Sequence, residues 1–384
     1  MCDVVEEEVE KRVESTSLGR ACMKCRRANA ARIVCRLRDP LCPECFEEYV
    51  AHKFRSALAK SKAIAHGSKV LVAISGGPSS SAMLHLLQTE LKSSSRKRTL
   101  DIEYGILIIE DLNDMMKKVV EATTLRDEKK CPIHVVSMAN AFPTPEAMTS
   151  LFESMTSLSA KEAMLENLRY RLYEETARKY GYRAVLLGHS STRAAVNLIS
   201  GIAQGRGSLA ALGICSRLPG DDVAFVRPMI EVSAKEIGYF NYINRVTTIA
   251  VPSLDFACQF KASIGRLTEA FLTALQADFP STVNAVYRTG NKLLKETDDK
   301  VIATCILCGA PIQSDSEKVC GGSSCTCQKK TTVSTVLAHL CYACKLIVKD
   351  VKETEIVLPI FAREEMEKRQ RRISMRAQIE DFLL

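Results

Sequence analysis

The chain has 384 residues, 46% of them hydrophobic and 26% charged, with a net charge of +8 and sixteen cysteines. That length holds a full α/β core with small satellites, and no apolar run nears the ~20 residues of a membrane-spanning helix. The acidic opening, MCDVVEEEVEKRVEST, has no signal-peptide core, so a cytoplasmic protein without a membrane partner is expected. In a reducing compartment, cysteines this dense point to metal rather than disulfides. The positive charge fits a polyanionic partner, and equally an ordinary solvated surface.

Residues 1–19 read as a disordered acidic lead-in. Residues 20–67 carry paired cysteines and then a helical pattern, EEYVAHKFRSALAKSKAIA, ending near His66 and Gly67. Residues 68–294 alternate strands and helices. KVLVAIS is a buried strand by its β-branched run, and PSSSAMLHLLQTELK is the helix after it. DIEYGILIIE and CPIHVVSM are the next strands, with LNDMMKKVVEATTLRDEKK a helix between them. AFPTPEAMTSLFESMTSL reads as a peripheral insertion. SAKEAMLENLRYRLYEETARKYGY has helical spacing, with Leu165, Leu168, Leu172 and Ala177 as buried positions. RAVLLGH, STRAAVNLISGIAQ and VAFVRPMIEVSAKEIGYFNYIN supply a strand, a helix, and a last strand with its helix. The expected fold class is α/β, Rossmann-like, with a parallel sheet and helices on both faces. Residues 295–384 turn rich in cysteine, glycine and serine and close on a charged helix.

Each flank carries the same device. Cys22-x-x-Cys25 and Cys42-x-x-Cys45 lie sixteen residues apart, and two such knuckles close a tetrahedron around zinc. A closed four-thiolate site leaves no open position for water, so its role is folding. CMKCRRANAARIVCRLRDPLCPEC has too few apolar residues to fold without such a staple. Cys305-x-x-Cys308 and Cys341-x-x-Cys344 frame the second site, where Cys320, Cys325 or Cys327 could substitute as ligands. The first block is rich in cations, among them Arg26, Arg27 and Arg36. They could sit on a phosphate backbone, or solvate a small domain with little core. A RING-type arrangement needs eight interleaved ligands in one compact run, which the N-terminal block, with five cysteines and His52 its only nearby histidine, does not supply.

Ser75-Gly76-Gly77-Pro78-Ser79-Ser80 joins a buried strand to a helix. The glycines allow close backbone approach, and a helix N-terminus beside exposed amides makes an anion site. The lysine of the common mononucleotide loop is absent. The turn resembles the PP-loop, SGGxDS, of ATP pyrophosphatases, the adenine nucleotide alpha hydrolase-like fold. A later stretch, LLGHSSTRAAVNL, is similar to their second signature, G-H-N-x-D-D-x-A-E-T. It keeps Gly188, His189 and Ala195, but Thr192 and Arg193 stand where the acidic pair would be. Ser79 likewise replaces the acid that the resemblance assigns to Mg²⁺ and phosphates, and Pro78 has no N–H for a phosphate. Losing carboxylates in both motifs weakens metal-assisted pyrophosphate chemistry.

Set between two zinc blocks, these motifs resemble the cytoplasmic tRNA 2-thiolation protein 2 family, over about Cys22 to Leu384, including RLTEAF, LCYACKLIVKD and a terminal IEDFLL. The resemblance implies the degenerate partner of a catalytic PP-loop tRNA thiolase, in a heterodimer that thiolates the wobble uridine (mcm5s2U) of lysine, glutamate and glutamine tRNAs. The sulfur comes from a thiocarboxylated ubiquitin-like carrier. The working subunit carries a C-x-x-C before a basic helix; the corresponding SLSAKEAMLENLRYRLY has no cysteine, and Cys258 alone cannot build that site. A non-catalytic subunit is therefore expected, with doubtful ATP binding at Ser75, Gly76, Gly77, Ser79, Ser80, Gly188 and His189, and with Arg193 and Arg206 near the cleft mouth as further tRNA contacts. An autonomous ATP-dependent tRNA-modifying enzyme and a zinc-stapled interaction scaffold are the competing readings.

Overall fold

In the computed structural model, which describes residues 21–27, 33–34, 40–92, 102–110, 118–121, 123, 131–214, 222–249, 263–293, 303–312, 336–352 and 357–383, Ile33–Val34 (β1) and Pro40–Leu41 (β2) pair as a short antiparallel ribbon. The chain then enters the helix Pro43–Ser61 (α1) through a proline in the first turn, where no N–H is required. α1 ends at Lys62 in the left-handed conformation (φ 51°), short of the stop expected at His66 and Gly67.

The α/β unit follows as Ser68–Ala73 (β3), Pro78–Lys92 (α2), Ile102–Glu110 (β4), Ile133–Ser137 (β5), Pro145–Ser154 (α3), Leu158–Tyr180 (α4), Ala184–Leu187 (β6), Ser191–Ala203 (α5), Ala224–Val226 (β7) and Ala234–Ile243 (α6). Its five strands are all parallel, in the order β5-β4-β3-β6-β7. The chain steps outward from β3 to β5 and then returns to the other side of β3, so the winding reverses between β3 and β6. Ligands of such sheets bind beyond the carboxyl ends of the strands at that reversal. The SGGPSS turn leaves β3 and the GHSST turn leaves β6, which brings both motifs to that place.

The strands are apolar on both sides because both faces are covered. Leu71, Ala73, Leu107, Ile109, Val185, Leu187 and Phe225 pack under Met164, Leu168 and Leu172 of α4. Val70, Val72, Ile106, Ile108, Ala184, Leu186 and Val226 pack under Phe46 and Phe54 of α1, Met83 and Leu87 of α2, and Phe240 of α6. Hydroxyl caps start several of these helices: Thr144, Ser157, Ser190 and Ser233 each accept a backbone N–H from the first turn. α4 stops at Gly181 in the left-handed region (φ 73°).

Two amphipathic helices, Ile264–Asp278 (α7) and Thr282–Leu293 (α8), cover α5 through Leu272 and Val283 on Ala195 and Val196. Ala303–Thr304 (β8) and Pro311–Ile312 (β9) form a second short ribbon, followed by Tyr342–Lys349 (α9) and Ile360–Leu383 (α10). Ile306, Leu307, Leu340, Ile347 and Ala362 of this region join the α4-side core. The two cysteine blocks therefore sit on opposite faces of one sheet.

AFPTPEAMTSLFESMTSL is not peripheral. Met148, Leu151 and Phe152, at i, i+3 and i+4 on α3, are buried in the α4-side core. Met155 bridges to Val351 of the C-terminal region. Of LNDMMKKVVEATTLRDEKK, residues 118–121 and 123 are helical and the rest lies outside the described residues. Among the described residues, no helix is long and apolar enough to cross a membrane.

Candidate nucleotide cleft and metal centres

The turn after β3 is held by its own hydroxyls. Ser80 Oγ donates to the Gly77 carbonyl (3.0 Å) and shares a hydrogen bond with Ser75 Oγ (3.3 Å), while Ser81 Oγ donates to the Gly76 carbonyl (3.3 Å). Gly76 takes φ 78°, where a side chain is strained. A Cβ there would also lie 2.6 Å from Val119 Cγ2. The Gly76 carbonyl accepts the Ile249 N–H at 2.9 Å. The adjoining cavity is lined by Ile74, Leu84, Val119 and Ile249 together with the polar Ser81, Thr123 and Thr247. Gly77 and Ser79 are half-buried, Ser75 is exposed and Ser80 is buried.

Gly188 explains how the two motifs meet. A Cβ on it would stand 2.8 Å from both Cα and N of Ser80 and 3.1 Å from the Ser79 carbonyl carbon, so only glycine lets the end of β6 approach the start of α2 this closely. His189, next in the chain, is half-buried. Its Nδ1 accepts from Arg227 Nε (3.4 Å), and Arg227 Nη2 donates to Tyr170 OH (2.9 Å). Burial, and then the Arg227 and Arg193 charges, push the imidazole pKa down to about 3. With Nδ1 accepting, the neutral ring carries its proton on Nε2. Arg227 and Tyr170 escaped the sequence reading, because nothing local marks an arginine after β7 as the partner of a histidine after β6.

At the positions of the absent acids the hydroxyls serve the fold. Thr192 is buried and its Oγ1 accepts the Ala234 N–H at 3.1 Å, tying α5 to α6. Arg193 is exposed in the first turn of α5, beside the cleft as expected. Arg206 follows α5 at its far end, half-buried, and its charge acts both on Glu166 and the cysteines of the second block and on Tyr170, the partner of Arg227. α4 runs Leu158–Tyr180 and contains no cysteine.

The eight predicted metal ligands close into two groups, Cys22, Cys25, Cys42 and Cys45, and Cys305, Cys308, Cys341 and Cys344, with the sulfurs of each group within 4.8 Å of one another. A tetrahedron of Zn–S bonds of about 2.3 Å has edges of about 3.8 Å. Cys25 and Cys42 lie 3.8 Å apart and Cys308 and Cys341 3.6 Å apart, so the donor sets fit a tetrahedral ion such as zinc.

The two centres share one construction. Arg26 N donates to the Cys22 carbonyl at 2.8 Å, and Gly309 N to that of Cys305 at 2.9 Å. Those fourth residues turn back through positive φ, 58° at Arg26 and 74° at Gly309. The second pair of each centre opens a helix, with Cys42 at the N-cap of α1 and Cys341 at that of α9, where the helix dipole favours thiolate. Burial pushes the Cys22 thiol up, but N–H groups of Cys25, Cys42 and Lys24 outweigh it and bring it down to about 6.

Arg26 and Arg27 are exposed on the first knuckle, Arg27 lying 3.7 Å from the exposed Glu44. Arg36 lies outside the described residues, as do Cys258, Cys320, Cys325 and Cys327. The outer four cysteines of the second block close without the inner three.

Comparison with known proteins agrees with this geometry. A PP-loop domain model matches residues 47–249, and the model for cytoplasmic tRNA 2-thiolation protein 2 matches residues 263–346. The fold is similar to that of the U34-tRNA thiolase NcsA from Methanococcus maripaludis, solved with its 4Fe-4S cluster, with TM-score 0.62, 14% identity, and coverage of 76% of this chain and 94% of that one. Cytoplasmic tRNA 2-thiolation protein 2-B of Xenopus laevis is 32% identical over 499 aligned residues, covering 98% of this chain and 97% of the relative. The Danio rerio protein is also 32% identical, over 485 residues, covering 98% and 96%. With both motifs of a PP-loop at the sheet reversal, two four-cysteine centres on its flanks and relatives matching end to end, the chain belongs to the cytoplasmic tRNA 2-thiolation protein 2 family.

Proposed function

We propose that this chain is the non-catalytic subunit of a two-chain tRNA thiolase that acts on the wobble uridine. Its partner is a catalytic PP-loop relative, which receives sulfur from a ubiquitin-like carrier. The observation that carries the reading is the state of the cleft. The glycine turn and Gly188 keep the close packing of a PP-loop, yet Ser79, Thr192 and Arg193 occupy the acidic positions of the family motifs, and Thr192 is committed to holding α6. A PP-loop that splits ATP needs carboxylates to organise Mg²⁺ around the phosphates. Here the turn's own hydroxyls bind its carbonyls, and Val119 and Ile249 close over Gly76.

Both cysteine centres hold zinc in this reading, as structural ions that fasten the flanking blocks to the sheet. Arg193 at the cleft, with Arg26, Arg27 and Arg36 on the first knuckle, contacts tRNA phosphates. The test is AMP and pyrophosphate release from ATP, Mg²⁺ and tRNA by this chain alone, by the pair, and by each carrying Gly77→Ala or Gly77→Asp in this chain, where a Cβ meets nothing closer than 3.6 Å. The proposal expects no release by the lone chain and activity in the pair that survives the loop changes. Release by the lone chain, abolished by those changes, overturns it in favour of an autonomous enzyme.

A further inference from the structure

The two cysteine centres are alike in their ligands and differ in what surrounds them. At the N-terminal centre Cys22 and Cys42 are buried, but Cys25 is exposed and the neighbouring cations Lys24, Arg26 and Arg27 are all in solvent. Water therefore reaches that centre on the Cys25 side. At the C-terminal centre, Cys305 and Cys344 are fully buried and Cys341 nearly so. Four thiolates around a divalent ion carry a net charge of about −2, and a buried charge is costly unless hydrogen bonds and counter-charges answer it.

The answer comes from the α/β core rather than from the cysteine block. Asn167, buried on α4, donates its Nδ2–H to Cys344 Sγ at 3.8 Å. At the end of α5, Gly205 takes φ 80° and lies so close to Tyr342 that a Cβ would stand 2.6 Å from its ring, which seats the 204–207 turn against the helix start that carries Cys341 and Cys344. Arg206 is the cation on that turn. Its charge interacts with the Glu166 carboxylate and with the sulfurs of Cys308, Cys344 and Cys341.

We infer that Asn167 and Arg206 are outer-sphere positioning residues of the C-terminal metal centre, so that the core itself sets how firmly this centre holds its ion. This rests on reading the four cysteines as zinc ligands. Groups in such outer positions orient and stabilise ligands, and their loss typically costs about 10–100-fold in metal affinity. The N-terminal centre, with no such support among the described residues, is the more labile of the two.

The experiment takes the full zinc-loaded chain, challenges it with a chelator, and reads the alkylation rate of each cysteine by pulsed labelling and mass spectrometry. Elemental analysis of the starting protein gives the zinc content. The wild type is expected to hold zinc at both centres and to expose Cys22, Cys25, Cys42 and Cys45 first. Asn167→Leu and Arg206→Met should each speed labelling of the C-terminal four by about tenfold or more and leave the N-terminal four unchanged, and Arg206→Lys should recover most of the protection. Unchanged C-terminal rates overturn the inference, because Arg206 would then serve Glu166 alone. A rise at all eight cysteines overturns it too, since it marks general unfolding; the Arg206→Lys and Arg206→Met pair separates charge from packing. A wild type without zinc overturns the metal reading itself.

Discussion

The contact that fastens the N-terminal block to the core invites a double-mutant cycle. Lys53 of α1 and Glu236 of α6 are 7% and 5% exposed, and Lys53 Nζ lies 2.9 Å from Glu236 Oε1. Tyr49 OH donates to the same oxygen at 3.0 Å, and the Lys53 ammonium sits 4.0 Å from the Tyr49 ring centroid. The other oxygen, Oε2, accepts from Ser233 N at 2.7 Å and Ser233 Oγ at 3.0 Å, completing a capping box.

Breaking a buried pair by removing one partner costs about 3–5 kcal/mol. Lys53→Met leaves Glu236 with the Tyr49 and Ser233 donors, which places the loss near the lower end, about 3 kcal/mol, more than a hundredfold in the folding equilibrium. Glu236→Leu strands the ammonium and removes the side-chain half of the capping box, while Ser233 Oγ still accepts the backbone N–H of residue 236. The double variant should cost less than either single one, because no buried charge is left unanswered and an apolar pair of similar volume takes its place. Urea unfolding at neutral pH and fixed free zinc reads all four corners of the cycle. Singles that cost under about 1 kcal/mol, or a double equal to their sum, would refute the argument.

The pH dependence has a definite sign. Burial works to raise the Glu236 pKa, but Lys53 and the hydrogen bonds from Ser233 and Tyr49 lower it on balance. A depressed carboxylate contributes stability that is present above its unfolded pKa and is lost as pH falls through the folded one. Lys53→Met should therefore flatten the acid limb of the stability curve below the usual carboxylate range.

Four further outcomes are expected. Gly188→Ala places a Cβ 2.8 Å from the Ser80 backbone, so it should destabilise by about 1–3 kcal/mol, read as a lower Tm. His189, held at about 3 by burial and by Arg227 and Arg193, should show no titration between pH 5 and 8 by NMR, and Arg227→Met should raise its pKa. If Arg26, Arg27 and Arg193 meet tRNA phosphates, replacing each with glutamine should weaken binding across tRNA sequences and reduce the salt slope by about one; Arg206→Gln should leave that slope unchanged. Stripping both metals should lower the helical circular dichroism signal and the Tm, since α1 and α9 each start on a ligand.

The two four-cysteine groups were legible because their spacing is local: two cysteines on a knuckle and two on a helix start come together in each. The buried strands were legible for a similar reason, since a run such as VLVA or AVLL stays apolar only when both faces are covered. What stayed hidden was pairing across distance. Lys53 and Glu236 lie 183 residues apart, and Asn167 and Cys344 lie 177 apart; neither partner carries a local mark of the other. Arg206 read as a cleft cation because α5 starts at the cleft; its interaction with the cysteines of the second block had no local mark either. The α3 segment read as peripheral because its proline-flanked start masked a three-residue apolar face, Met148, Leu151 and Phe152.

The placement of the two metal blocks also bears on why a PP-loop fold would persist after losing its acids. Lys53–Glu236 ties the first block to α6 on one face of the sheet, and Asn167 and Arg171 of α4 reach the second block on the other, Arg171 Nε donating to the Leu307 carbonyl at 3.5 Å. Gly188 and Ser80 are packed backbone to backbone between them. Relaxing that packing would shift α2 and α5, and α5 carries α7 and α8 through Leu272 and Val283. Gly76 of the turn and Gly188 after β6 are thus under a packing constraint that the residues at 79, 192 and 193 do not share: a Cβ at Gly76 meets Val119 and one at Gly188 meets the Ser80 backbone. For the non-catalytic subunit proposed above, the chemistry of the cleft would be free to go, while the close approach that aligns its helices would not.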